Sequence, residues 1–228
     1  MLFNLFSSPT SLIAFLLAII IGITVHEFAH SWMATRLGDY TSKYQGRLSL
    51  NPSRHIDPIG ALFLLFVGFG WGKPVPINRN ALRGKHDELK VAISGPLSNL
   101  ITAFVFSIPV VIMSNVFNID YQNSFILFTL MTIVQINVIL AVFNLIPVYP
   151  LDGSRILSGI APRKWENQIE NLEKKGPILL LILIFIEYFL NIPILFAIIM
   201  YPYRIFNSII TVPIVLVIDG IKFIISLF

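Results

Sequence analysis

The feature that most constrains this chain is an apolar run, from about Ser11 to Met33, that contains two histidines and a glutamate. Its length is close to the roughly 20 residues that a helix needs to cross a bilayer. Similar runs extend from about Leu89 to Met113 and from Phe125 to Pro147. Hydrophobic residues make up 56% of the 228 residues, more than a soluble domain of this size can bury. The sequence therefore predicts an all-α polytopic membrane protein with a core of three transmembrane helices.

Two further apolar stretches follow this core. One begins after Gly176 and reaches about Met200, and the other extends from Ile205 to Phe228. We expect one or two further C-terminal membrane helices within about residues 176–228, the final stretch either spanning the membrane or lying on its surface. Together with the core, at about residues 11–160, they are expected to form a single membrane-embedded domain, residues 1–228.

The basic residues are concentrated in two loops, which predicts the orientation in the membrane. Nine of the sixteen Lys and Arg residues lie between Arg36 and Lys90, five lie between Arg155 and Lys175, and residues 114–124 contain none. The positive-inside rule therefore places both basic loops in the cytoplasm and the N-terminus outside. The first two helices are then joined inside, and the apolar stretch Ile59–Phe69 is too short to cross twice. We expect a re-entrant or interfacial element at about residues 57–72.

Extended segments are expected on both sides of that element. The segment Tyr44–Leu50 partly alternates polar and apolar residues, and two prolines disfavour a helix in Lys73–Asn78. A plain cytoplasmic loop is an equally good interpretation of both segments.

The first apolar run contains a pattern that suits a metal ion. His26 and His30 are four residues apart, so both lie on one face of a helix. Glu27 lies beside them and could take a proton from an attacking water, as in the HExxH pattern of zinc proteases. Ionisable groups are costly in lipid, and those that remain there usually have a function. A polar patch without a metal is the alternative interpretation.

A third ligand has to come from another part of the chain, because catalytic zinc usually has three protein ligands. The chain has no cysteine, so the ligand must offer nitrogen or oxygen. The candidates are His55, Asp57, His86, Asp152 and Glu187. Asp152 is the best of them because it follows the third apolar run, at the same end of the bundle as the two histidines. Pro147 and Pro150 break the helix before it, although a carboxylate in an ordinary turn remains the alternative.

In these residues the chain resembles the site-2 protease family of intramembrane zinc metalloproteases. The resemblance covers about residues 11–160 and rests on His-Glu-Phe-Ala-His at 26–30 and on the Asn-x-x-Pro-x-x-x-x-Asp-Gly pattern from Asn144 to Gly153. Shorter stretches at 51–52, 55–60, 72–76 and 94–96 resemble its compact bacterial and archaeal members. No segment is long enough for a PDZ or CBS domain, so we expect a minimal core.

The resemblance implies roles for five residues. His26, His30 and Asp152 would bind one Zn²⁺ per chain, and Glu27 would be the catalytic base. Asn144 would hold the substrate or its developing oxyanion. The implied protein is an intramembrane endopeptidase of the cell membrane. Its active site would lie near the cytoplasmic side, its partners would be a transmembrane substrate and the lipid bilayer, and no nucleic acid would be bound.

Two other functions fit the same residues less well. A divalent-metal transporter usually repeats polar residues along a path or has duplicated halves, and neither pattern is visible in this sequence. A metal-binding scaffold without activity would not require Glu27.

Overall fold

The computed structural model describes residues 8–67, 70–84 and 86–225. Within those residues the chain is helical and has no β-structure beyond one isolated bridge, which confirms the predicted all-α fold. The helices are α1 (Pro9–Arg36), α2 (Thr41–Tyr44), α3 (Pro58–Val67), α4 (Asp87–Asn115), α5 (Phe125–Asn144), α6 (Asp152–Ile160), α7 (Glu166–Phe189) and α8 (Ile194–Ile225).

The three predicted core helices are α1, α4 and α5. In the described part of the chain these three and α8 are long and apolar enough to span a membrane, so the protein is a multi-pass membrane protein. Helix α5 ends at Asn144 rather than at Pro147, because the chain turns before the proline.

The core of the bundle is formed where α1, α4 and α5 pack against one another and α8 covers α4 and α5. Its centre is a cluster of small and branched side chains, Ala103, Val134, Val138, Val142 and Ile210. A Cβ atom at Gly22 would lie 2.5 Å from Leu140 Cδ1, so a larger residue there would have to displace the end of the Leu140 side chain.

The element between α1 and α4 leaves the bundle and returns to the same place. Ile56 forms an antiparallel bridge with Gly72, and the N–H of Lys73 donates to His55 O at 2.7 Å. Helix α3 lies between these paired ends with Ile59 and Phe66 exposed. Because its two ends are paired, the segment begins and ends at one place, as expected of a segment that does not cross the membrane. Its depth in the bilayer stays a prediction.

The two flanking segments differ from each other. Residues 44–50 turn rather than extend, because Gly46 has a φ of 69° and the N–H groups of Gly46 and Arg47 bond back to Lys43 O and Ser42 O. Residues 73–78 contain neither a helix nor a strand, and backbone N–H groups at two points of the segment bond to carboxylates of α1 and its following loop.

The helix boundaries in the C-terminal third differ from the predicted ones. Helix α7 begins at Glu166, ahead of the expected start, and ends at Phe189, where Asn191 takes a left-handed φ of 53°. Helix α8 then begins before the expected end of the first stretch and runs through the region of Pro213. Glu187 Oε2 accepts the N–H of Phe196 at 2.9 Å, so this carboxylate caps α8. The last stretch is therefore long enough to span a membrane as part of α8.

Candidate metal centre

The two histidines of α1 lie one turn apart and face the centre of the bundle. His26 and His30 are both buried, and their Nε2 atoms are 3.1 Å apart. This is the arrangement that the four-residue spacing predicts for one face of a helix.

Asp152 reaches the same point from another part of the chain. Helix α5 ends at Asn144, and the following turns place Asp152 as the first residue of α6. A Cβ atom at Gly153 would lie 2.3 Å from Ile146 O, so only glycine permits this close turn. Asp152 Oδ2 is 3.1 Å from the Nε2 atom of both histidines.

The other candidate ligands lie in separate local structures. His55 is fully buried with its Nε2 2.6 Å from Ser49 O, and Asp57 Oδ1 accepts the N–H of Gly60 at 2.8 Å. Glu187 caps α8, and His86 immediately precedes α4. Among the described residues, the group of His, Asp and Glu side chains close enough to share a metal ion is His26, His30 and Asp152.

The spacing of the three candidate ligand atoms fits a zinc ion. Tetrahedral zinc with bonds of about 2.0–2.1 Å holds neighbouring ligand atoms about 3.3–3.4 Å apart. The three separations here are each 3.1 Å, slightly shorter than that value. Two nitrogens and one carboxylate oxygen are also a ligand set that catalytic zinc sites use.

The hydrogen bonds behind the histidines leave both Nε2 atoms free to bind a metal. His26 Nδ1 is 2.7 Å from Asn99 Oδ1, and His30 Nδ1 is 2.8 Å from Val91 O. A carbonyl oxygen can only accept, so each ring donates from Nδ1 and presents an Nε2 lone pair to its neighbours. Two lone pairs and a carboxylate oxygen then meet in a buried space, which is favourable only with a cation or added protons among them.

Gly95 of α4 packs directly against the two imidazole rings. A Cβ atom at Gly95 would lie 2.4 Å from His30 Nε2 and 2.7 Å from His26 Cε1. The sequence alone does not show that the two imidazole rings pack against this glycine.

Glu27 lies beside the three candidate ligands but is not part of that group. Its Oε2 accepts the N–H of Val75 at 3.0 Å, so the segment at residues 73–78 holds this carboxylate. Arg47 stabilises the same segment through a hydrogen bond from Nη2 to Lys73 O. Burial lowers the pKa of Arg47, and the negative charge of Glu27 opposes that change.

Asn144 is at the end of α5, and its side chain donates from Nδ2 to Leu140 O at 2.9 Å. That bond lies within its own helix, and no hydrogen bond joins Asn144 to the three clustered side chains in the described structure. Its role at the site stays a prediction.

Two functional candidates could not be identified from the sequence. Asn99 contacts His26, and Asn137 contacts Asn99 at 2.9 Å. Both are amides within apolar runs, where buried polar side chains usually contact other helices. That signal was present in the sequence, but it could not show which helix each amide would face.

Together these features define a candidate metal centre between helices that are long and apolar enough to span a membrane. The sequence model of peptidase family M50 matches residues 107–185, which include Asn144 and Asp152. YwhC of Bacillus subtilis, named as a zinc metalloprotease, is 38% identical over 182 residues, 77% of this chain and 82% of its own. Zinc metalloprotease MJ0392 of Methanocaldococcus jannaschii is 30% identical over 64% of this chain but only 33% of its own length.

The chain therefore belongs to peptidase family M50, and it is a zinc metalloprotease of that type. A second Methanocaldococcus jannaschii protein with a zinc metalloprotease name, MJ0611, is 28% identical over 67% of this chain and 75% of its own. No solved structure matches the chain.

Proposed function

We propose that this protein is an intramembrane endopeptidase that cuts peptide bonds in or near transmembrane segments of other membrane proteins. The observation that carries the proposal is the triangle formed by Asp152, at the start of α6, and the buried His26 and His30 of the apolar helix α1, with Glu27 beside it. In this proposal residues 1–228 act as one domain that binds one zinc ion.

The depth of the site supports a substrate within the membrane. His26 precedes the end of α1 at Arg36 by ten residues, about 15 Å along a helix. In this proposal α1 leaves the bilayer near Arg36, and because the hydrocarbon core is about 30 Å thick, His26 lies well inside it. We also propose that the protein resides in the cell membrane with the site nearer the cytoplasm, because the loops that follow α1 and α6 carry most of the basic residues.

Each side chain has one task in the proposed reaction. His26, His30 and Asp152 hold the metal. When bound, zinc would supply Lewis acidity towards the scissile carbonyl and make water more acidic. Glu27 takes a proton from the attacking water and delivers it to the leaving amine. The amide of Asn144 donates a hydrogen bond to the substrate carbonyl after giving up its bond to Leu140 O.

Metal removal tests the proposed function. Purified protein in liposomes with a single-span substrate should cut that substrate, and treatment with a zinc chelator should stop the cleavage. Returning about one equivalent of Zn²⁺ should restore it, because the ligands can form one closed site. Cleavage that survives complete metal removal would contradict the proposal. So would protein-dependent zinc flux into the liposomes without cleavage, which is the outcome expected of a transporter.

A further inference from the structure

A chain of side-chain hydrogen bonds extends from His26 across the bundle to α5. His26 Nδ1 is 2.7 Å from Asn99 Oδ1, and Asn99 Nδ2 donates to Asn137 Oδ1 at 2.9 Å. Asn137 Nδ2 in turn donates to Ile133 O at 2.9 Å. Both asparagines are fully buried, and the proposed reaction gives neither of them a task.

This chain of hydrogen bonds can run in only one direction. Ile133 O can only accept, so Asn137 turns its NH₂ group towards that oxygen and its Oδ1 towards Asn99. Asn99 then has to donate to Asn137, and its NH₂ group also donates to Gly22 O at 3.0 Å. Asn99 Oδ1 is left to face His26, whose ring must therefore donate from Nδ1.

The burial of these groups makes the arrangement stable. An amide or ring nitrogen left without a partner in an apolar interior is strongly unfavourable. Rotating the ring of His26, or moving its proton to Nε2, would leave Asn99 Oδ1 without a donor. A hydrogen bond to the second nitrogen of a metal-binding histidine sets both the orientation of the ring and the site of its proton.

We propose that Asn99, held in turn by Asn137, is a positioning residue that keeps the Nε2 lone pair of His26 directed at the metal. The proposal rests on the metal site of the proposed function but not on the peptidase activity. His30 is different, because its Nδ1 bonds to the backbone oxygen of Val91. Side-chain substitution can therefore loosen the orientation of His26 selectively.

The test compares a variant that keeps a hydrogen-bond acceptor at position 99 with a variant that removes it. Zinc dissociation constants are measured by chelator competition on purified protein, and unfolding temperatures are measured on the metal-free form. Asn99→Leu removes the acceptor and should weaken zinc binding about 10–100-fold. Asn99→Asp keeps an acceptor for His26, so zinc affinity should stay within about threefold of the parent. Its unfolding temperature should still fall, because its second oxygen would face Gly22 O and Asn137 Oδ1.

A buried polar residue on the same helix provides the matched control. Ser107 is fully buried, and among the residues that the structure describes its Oγ donates to Phe104 O, within α4. Ser107→Ala should leave zinc affinity unchanged. If Asn99 served only to pack the helices, zinc affinity would follow the unfolding temperature across the variants, and Asn99→Asp would bind zinc as poorly as Asn99→Leu. That result would overturn the proposal.

A measurement on the parent protein tests the orientation of His26 even if the Asn99 variants do not fold. In zinc-loaded protein with ¹⁵N-labelled histidine, His26 should carry its proton on Nδ1 and bind the metal through Nε2. Binding through Nδ1 would overturn the proposal. These readouts need no substrate, so a failure to detect proteolysis would count against the proposed function and leave the positioning role to be judged separately.

Discussion

Replacing Glu27 with glutamine should lower cleavage by about 10²–10⁴-fold, the contribution of a positioned general base, and leave the bound zinc in place. Glutamine has nearly the same size and retains an oxygen that can accept the N–H of Val75, so the segment at residues 73–78 should keep its position. It cannot take a proton from water, however. Because Glu27 is not among the three clustered ligands, its replacement should not release the metal. The measurements are the rate of cleavage of a single-span substrate and the zinc content of the same preparation.

A matched control makes the same chemical change outside the site. Glu170 is an exposed residue of α7 that pairs with Lys174 at 2.7 Å. Exposed ion pairs contribute little to stability, so Glu170→Gln should cut at the parental rate. Cleavage by Glu27→Gln within tenfold of the parent would contradict the role given to Glu27. Loss of zinc from that variant would contradict its position outside the ligand set.

Gly95→Ala should nearly abolish both zinc binding and cleavage, although it adds only one methyl group. The new Cβ would lie 2.4 Å from His30 Nε2 and 2.7 Å from His26 Cε1, well inside van der Waals contact. Either α4 or the two rings must move by several tenths of an ångström or more. A displacement of about 1 Å at a catalytic site can cost about 10²-fold in rate, and we expect a comparable loss of zinc affinity.

The same substitution at Gly220 is the control for Gly95→Ala. Gly220 lies in α8, and a Cβ atom added there would have no neighbouring atom within 4 Å. Alanine also favours helix over glycine by up to about 1 kcal/mol. Zinc affinity and cleavage should therefore be unchanged in Gly220→Ala. Parental zinc affinity in Gly95→Ala would show that the rings do not occupy the position against α4 that the structure gives them.

The parts of the site that depend on local periodicity could be predicted from the sequence. The helical repeat predicts that His26 and His30 lie on one face. The orientation indicated by the basic loops predicts that Asp152 lies at the same end of the bundle. The roles of Asn99 and Val75 could not be predicted in this way. Their contacts with His26 and Glu27 depend on the relative register of two segments that are distant in the sequence. Residue spacing within one segment does not determine that register.

The fold of the C-terminal third shows a second limit of sequence reasoning. Gly176 and Pro177 look like the start of a membrane segment, but both lie inside α7. Glycine is needed there because a Cβ atom at position 176 would lie 2.5 Å from Tyr149 O. Leu180, one turn further on, packs against Val148 and Leu151 of the turn that carries Asp152. Tertiary packing therefore continues a helix that the local sequence would have ended.

The most direct test of the central claim is X-ray absorption at the zinc edge, on the purified parent and on Asp152→Asn. In the parent we expect two imidazole nitrogens and at least one oxygen at about 2.0–2.2 Å from zinc. The Asp152 variant should show a changed first shell or a loss of zinc, because Asp152 Oδ2 lies 3.1 Å from both Nε2 atoms. Zinc bound identically in both proteins, or freshly purified parent that binds no zinc, would contradict a site shared between α1 and the start of α6.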